Sequence, residues 1–244
     1  MPNSVSRRVI ILAPMPIEMD AIVTAFGLNA TGGAKDAHWT GHLGNSKVTA
    51  IHSGMGPPLT RVATSRLFEM TMADQLPDHV MVAGICGGLD PALPVGTLIN
   101  PEAIVEYASG ATFRHAPPGD APQAGKLMTT EEATLDPGLS KRFFEEGFLG
   151  VDMESAAVAE VCEAEGCPWS VYRCIGDRIF DGLIDQRILD LTNPDGSGNR
   201  AEIKQLIAAE PELAMRLERL SRDTTWAARL AAEAAVRGCL ALDA

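Results

Sequence analysis

The feature that most constrains this chain is a recurring pair, an apolar run of strand length stopped by small residues and then a helix-like pattern. Val9–Ala13 is rich in β-branched residues and ends at Pro14, Met15 and Pro16; helical spacing follows from Ile17 to about Phe26. Lys47–His52 stops at Ser53-Gly54-Met55-Gly56 and gives way to a helical Leu59–Met72. Val80–Ala83 reads as a short buried strand ending in Gly84-Ile85-Cys86-Gly87-Gly88. Trp169–Ile175 ends at Gly176-Asp177, after the helix Ser155–Glu165. Strands alternating with helices predict an α/β fold, with a mostly parallel sheet covered on both faces. The middle departs from this rhythm. Thr97–Asn100, Ala103–Ala108, Ala111–His115 and Lys126–Thr130 read as short strands with few helices between them, so a bent or mixed sheet is expected there. Ala116–Gly125, with three prolines, reads as a loop. Beyond the turn Asn193-Pro194-Asp195-Gly196, Arg200–Ala209 and Glu212–Ala235 read as helices, the second with a possible break.

At 244 residues and 46% hydrophobic, the chain suits one domain over 1–244, with 195–244 as its helical C-terminal part. Such a fold buries enough surface to need neither a metal nor disulfides. The formal net charge of −12 argues against a nucleic-acid partner, which calls for a basic stripe. The five cysteines lack paired CxxC spacing, so they are expected to be reduced, buried thiols. The run VIILAP is too short for a signal-peptide core, and no segment approaches a membrane span. A soluble, cytoplasmic protein is expected.

Ligands of open α/β sheets bind beyond the carboxyl ends of the strands. The carboxylates there are Glu18, Glu154 and Asp177. Each has a plain alternative: Glu18 and Glu154 complement a helix dipole, and Asp177 begins a turn. The turns SGMG and GICGG let backbone approach a ligand closely, but neither has dinucleotide or P-loop spacing.

Taken in order, VIILAPMPIEMDAI, VTAIHSGMGPPLTRVAT, VMVAGICGGLDPALPVGTLI, GVDMESAAVAEVC and PWSVYRCIGDRIFD resemble the nucleoside phosphorylase/nucleosidase superfamily. The nearest likeness is to its methylthioadenosine/S-adenosylhomocysteine nucleosidase branch. It covers roughly residues 8–185, with a poor match through 100–148. The resemblance implies a three-layer αβα domain around a mixed, partly barrel-like sheet, acting on a small nucleoside without metal or cofactor. Met153 and Glu154 match the pair whose Glu holds the ribose hydroxyls. Asp177 matches the Asp at the purine base, and Glu18 matches the carboxylate that activates the attacking water. Gly84, Ile85, Cys86 and Gly87 match backbone lining the sugar, while Met15 and Met55 match positions near the ribose and equally suit a core. The implied chemistry is coherent: an acid at purine N7 neutralises the departing base, and an ionised carboxylate across the ribose takes a proton from water.

Whether water or phosphate attacks turns on arginines. Where relatives that use phosphate place them, this chain has Val82 and the loop Pro14–Glu18, which favours hydrolysis; Arg61 and Arg114 are the cations still to be located. Two residues depart from the nucleosidase pattern. Gly176 stands for a serine, and Ile85 for a small polar residue. Phe113, Phe143, Phe144 and Phe148 are unranked candidates to stack on the base. The NPDGSGN tail is similar to the hopanoid-biosynthesis branch, which removes adenine from adenosylhopane. A phosphorylase, a non-catalytic nucleoside-binding protein and a dinucleotide-dependent oxidoreductase are the rival classes. Analogy with relatives whose neighbour closes the site implies a homo-oligomer, with a dimer favoured.

Overall fold

The β-branched first strand, β1 (Arg7–Ala13), lies inside the sheet and is covered on both sides: Val9, Ile11 and Ala13 pack on one face and Leu12 on the other. The computed structural model describes residues 6–32, 38–69 and 76–243. The other strands are β2 (Asn29–Thr31), β3 (His38–Leu43), β4 (Ser46–His52), β5 (His79–Gly88), β6 (Leu98–Ile99), β7 (Ala103–Glu106), β8 (Thr112–Phe113), β9 (Lys126–Thr129), β10 (Phe148–Asp152) and β11 (Trp169–Arg178). They join one mixed sheet in the order β2-β3-β4-β1-β5-β10-β9-β7-β8, with β11 on the free side of β5 and β6 beyond it. Parallel pairs (β1 with β4, β1 with β5, β5 with β11) form the half that carries the carboxyl-end loops. The β10–β5 pair is antiparallel, so the sheet changes direction at β5.

Helices cover both faces. On one lie α1 (Pro16–Phe26) and the 31-residue α7 (Pro211–Ala241), whose Ala232, Ala235 and Cys239 pack with Val9, Ile11 and Met81. On the other lie α2 (Pro57–Glu69) and α4 (Ser155–Ala164), against Val80, Val82 and Val171. Alanines on α7 bring its axis close to the sheet, the condition for a long helix to pack along strands. The remaining helices are α3 (Pro137–Glu145), α5 (Gln186–Leu189) and α6 (Arg200–Ala209). None of these helices is long and apolar enough to cross a membrane.

The architecture matches the expected mixed α/β sheet, but several local readings need correction. Gly84–Gly88 and Gly176-Asp177 are not turns; both continue their strands, paired with each other across β5 and β11. Glycine lowers strand propensity, but two neighbouring strands and two covering faces override that preference. Helix α7 is unbroken. The strands β2, β3 and β10 and the helix α3 were not expected. Helix α2 is described to Glu69, and the expected residues 70–72 lie outside the described residues.

Candidate active site

A fully buried arginine organises the carboxyl end of the sheet. Arg173 shares one face of β11 with the buried Val171 and Ile175, which places its guanidinium in the interior. A buried guanidinium costs several kcal/mol unless its donors are paired. Here Nε donates to Asp152 Oδ2 at 2.9 Å, Nη2 to Glu154 Oε2 at 3.0 Å, and Nη1 to Ile85 O at 3.2 Å. Nη1 also lies 3.5 Å from Glu18 Oε1. Sequence reasoning missed both Arg173 and Asp152. The available signal was a lone arginine inside the apolar strand WSVYRCI, since a buried arginine requires acids around it.

Glu18 does two jobs. From the third position of α1, its Oε2 accepts from the Met15 N–H at 2.8 Å, which caps the helix. Its Oε1 accepts from the Ile85 N–H at 2.7 Å, reaching across to β5. Gly84 makes that reach possible, because a Cβ there would collide with Glu18 Oε1 and come within 2.8 Å of Arg173 Nη1. Glu154 does not cap α4; Asp152 takes the Ser155 N–H instead, at 3.2 Å, and also accepts from the Ser155 hydroxyl. Glu154 Oε1 accepts from the Gly56 N–H at 2.8 Å. Gly54 and Gly56 both hold positive φ, 77° and 86°, and so turn that N–H toward the carboxylate.

Asp177 lies one bulge beyond Ile175 on β11, opposite Gly87. Arg173 joins Glu18 and Glu154, and the backbone of Asp177 pairs with Gly87, two residues along β5 from the Ile85 N–H that holds Glu18. Among the described residues no donor reaches the Asp177 carboxyl, which leaves it free for a ligand. Met15 and Met55 are half-buried at the rim, joined by the loop after Asn193: Met55 N–H donates to Pro194 O at 3.0 Å, and Gly196 lies against Met15. Met153 is half-buried and faces Gly56. Ile85 packs with Cys174, Ala227 and Ala231 under α7. Cys86 is buried on the opposite face with Val82 and Ile175, close enough to Arg173 and Asp152 for their charges to act on its thiol.

The two departures from the nucleosidase pattern touch each other. A Cβ on Gly176 would lie 3.1 Å from Ile85 Cβ and 3.2 Å from its Cδ1. Bulk on β5 thus occupies the space that a side chain on β11 would need. Gly176→Ser alone is expected to destabilise the fold by about 1–3 kcal/mol through overpacking, and Ile85→Ala, which removes Cδ1 and Cγ2 but keeps the Cβ, to remove part of that penalty in the double variant. Urea unfolding of the four proteins in the cycle measures it; additive losses would show that the two sites are independent.

Burial raises both outer carboxyls. Glu18 rises from 4.5 to about 7, with Arg173 opposing the effect and Glu154 adding to it. Asp177 rises from 3.8 to about 7 through burial and the nearby charge of Asp181. Glu154 is also raised, by burial against the pull of Arg173. Their surroundings differ: Glu18 receives two backbone N–H donors and faces a guanidinium, whereas Asp177 receives none and faces another acid.

The candidate phosphate-binding arginines are engaged elsewhere. Arg61 pairs with Glu160 at 2.8 Å and Glu106 at 3.3 Å, and Arg114 donates to Glu102 O at 3.3 Å. Phe143 and Phe148 are buried in a core beyond β10, Phe144 is exposed, and Phe113 packs against the main core. No group of three or more metal-ligating side chains occurs among the described residues.

Residues 8–147 match the sequence pattern of the Phosphorylase superfamily. A 5'-methylthioadenosine/S-adenosylhomocysteine nucleosidase of Pseudoalteromonas translucida is 27% identical over 169 residues, covering 57% of this chain and 70% of its own. A futalosine hydrolase of Streptomyces coelicolor is 26% identical over 197 residues, covering 70% and 83%. Among solved structures, the S-adenosylhomocysteine nucleosidase of Streptococcus pyogenes in complex with 5-methylthiotubericidin superposes with a TM-score of 0.70. That alignment has 14% identity and covers 97% of this chain and 98% of the other.

Proposed function

The chain belongs to the Phosphorylase superfamily, and on that premise we propose that it hydrolyses the N-glycosidic bond of a purine nucleoside, with adenine as the favoured base. The observation that carries hydrolysis is the commitment of Arg173. It is the one guanidinium among the described residues at the junction of Glu18 and Glu154, and its donors are taken by three carboxylates and a carbonyl. Three acids around one cation leave a site hostile to a phosphate dianion and suited to water. The methylthioadenosine/S-adenosylhomocysteine nucleosidase relative supports both the reaction and the adenine-type nucleoside class, and the futalosine hydrolase supports hydrolysis.

In this reading Asp177 gives its proton to the leaving base at N7, and its lack of other partners keeps it available. Glu18, whose ionised form Met15, Ile85 and Arg173 favour against the burial that raises it to about 7, takes a proton from water on the far side of the ribose. Glu154, fixed by Gly56 and Arg173, retains lone pairs for the vicinal hydroxyls, while Met153, Met15, Met55 and the Gly84–Gly87 backbone line the sugar. With the Glu18 and Asp177 carboxyls both near 7, activity follows a bell centred near neutrality. We place the protein in the cytoplasm, where its five free, buried thiols suit a reducing compartment, and treat 1–244 as one domain acting as a homodimer.

Incubation with adenosine, methylthioadenosine and inosine, with and without phosphate, tests the reaction by chromatography of the products. Free base and free sugar at a rate indifferent to phosphate are expected. Sugar 1-phosphate would overturn hydrolysis, and binding without base release would make the chain a nucleoside-binding protein.

A further inference from the structure

Beyond Arg178 the chain makes one tight helical turn, Ile179–Asp181, which ends at Gly182 with a positive φ of 61°. Such a turn sets residue i+3 over residue i, so Asp181 comes back to the end of β11. There its charge acts on the Asp177 carboxyl. Asp181 is itself gripped by two cations. Arg178 donates to it as a fork, from Nη2 to Oδ1 at 2.8 Å and from Nε to Oδ2 at 3.3 Å. Arg219 donates from α7 to the same Oδ2 at 3.0 Å. The Asp181 side chain is 16% exposed, against 34% for Arg178 and 46% for Arg219, so the acid is the enclosed member of the trio. A single turn has little stability of its own, and its pose is set from outside. Arg216, three residues before Arg219 on α7, donates to Gly182 O at 3.1 Å, to Leu183 O at 2.9 Å and to Asp185 Oδ2 at 3.1 Å.

Asp177 is thus followed directly by an arginine, yet the charge that acts on it is that of an acid. The other elements around it supply no competing cation. From β5 comes the Cys86 thiol, which burial keeps neutral. From α3, which packs on Ile179, Lys141 and Arg142 are exposed and paired with Glu145 and Glu146. From α7, Arg219 is shared between Asp181 and Asp223, the latter at 3.4 Å. Across the site Arg173 is engaged by Asp152, Glu154 and Glu18. A guanidinium placed directly against a carboxyl makes it ionise about one to three pH units earlier, and such an acid holds no proton for a leaving base at neutrality. We propose that Asp181 is a positioning residue for Asp177: by holding Arg178 and Arg219 in its own ion pairs, it keeps both guanidiniums off the acid and presents a carboxylate there instead. The proposal rests on the reading of Asp177 as proton donor and identifies what keeps it one.

Two measurements test it, and only one needs activity. Urea unfolding across the pH range compares each parent protein with the same protein carrying Asp177→Asn. The stability gap between them widens as pH rises and levels off where Asp177 ionises in the fold. In wild type it is expected to level off near 7. With Asp181→Asn as parent it is expected to level off at least about one pH unit lower, since an acid is removed and two guanidiniums are released. Asp181→Glu keeps the charge and is expected to stay near the wild-type value, and adding Arg178→Met to Asp181→Asn is expected to bring the plateau back toward it. Arg178→Met alone leaves Asp181 less compensated and is expected to move the plateau upward; it decides the matter if Asp181→Asn does not fold. The alkaline limb of base release is expected to shift in the same order. A plateau unmoved by Asp181→Asn and by Arg178→Met, or moved equally by Asp181→Asn and Asp181→Glu, would overturn the proposal. A plateau that moves as expected in a protein that releases no base would uphold the coupling and overturn the enzymatic reading alone.

Discussion

Asp177→Asn is expected to slow base release by roughly two to four orders of magnitude, the usual worth of a general acid, while making the folded protein more stable at pH 8. The two effects share one cause. In the unfolded chain Asp177 ionises near its ordinary 3.8, but burial beside Asp181 holds it to about 7 in the fold. A carboxyl raised by folding favours the folded state fully below 3.8 and loses that contribution as pH rises toward 7. Above neutrality the native protein carries a desolvated charge with no donor. The gap, at about 1.4 kcal/mol per pH unit, sets an upper bound of about 4 kcal/mol, and partial exposure of the group lowers it. Asparagine has the same shape and no charge to desolvate. Melting curves at pH 4 and pH 8 should therefore diverge only at the higher pH, with the variant melting later. A variant that loses activity without gaining stability at pH 8 would place Asp177 in contact with solvent and remove the basis for its proton.

Arg173→Met is expected to cost about 3–5 kcal/mol, enough to threaten folding, because it leaves Asp152, Glu154 and Glu18 buried around a lost cation. The loss arises from unpaired acids, so it should shrink as they are neutralised. Urea unfolding at pH 5 should recover part of the difference seen at pH 8, and adding Glu18→Gln to Arg173→Met should recover more. Arg173→Lys is not a conservative test, because one ammonium cannot address three carboxylates through a planar fork. A variant as stable as wild type at pH 8 would show that the cluster is hydrated rather than buried.

Much of the candidate site was legible along the chain, since its positions sit where strands end. Glu18, Glu154, Asp177 and the two glycine-rich segments all occupy such ends, and the match with a known family narrowed their chemistry. Less legible was what distinguishes a ligand-facing acid from an ordinary one. Glu18 beside a helix start reads as a partner of the helix dipole, and it does cap α1; its second bond, to Ile85, spans 67 residues of sequence and leaves no local trace. Glu154 reads the same way, yet Asp152 two residues earlier takes the first N–H of α4.

Alternating apolar runs determined by themselves that this chain forms a covered α/β sheet, because hydrophobic period and turn chemistry are local properties. Tertiary structure alone decided that Gly84–Gly88 continue a strand, since β11 along the segment and β10 at Gly87 and Gly88 supply the pairing that holds glycine extended. It also decided the role of Arg173. A buried charge is defined by what surrounds it, and its partners come from three separate segments that meet only when the sheet closes.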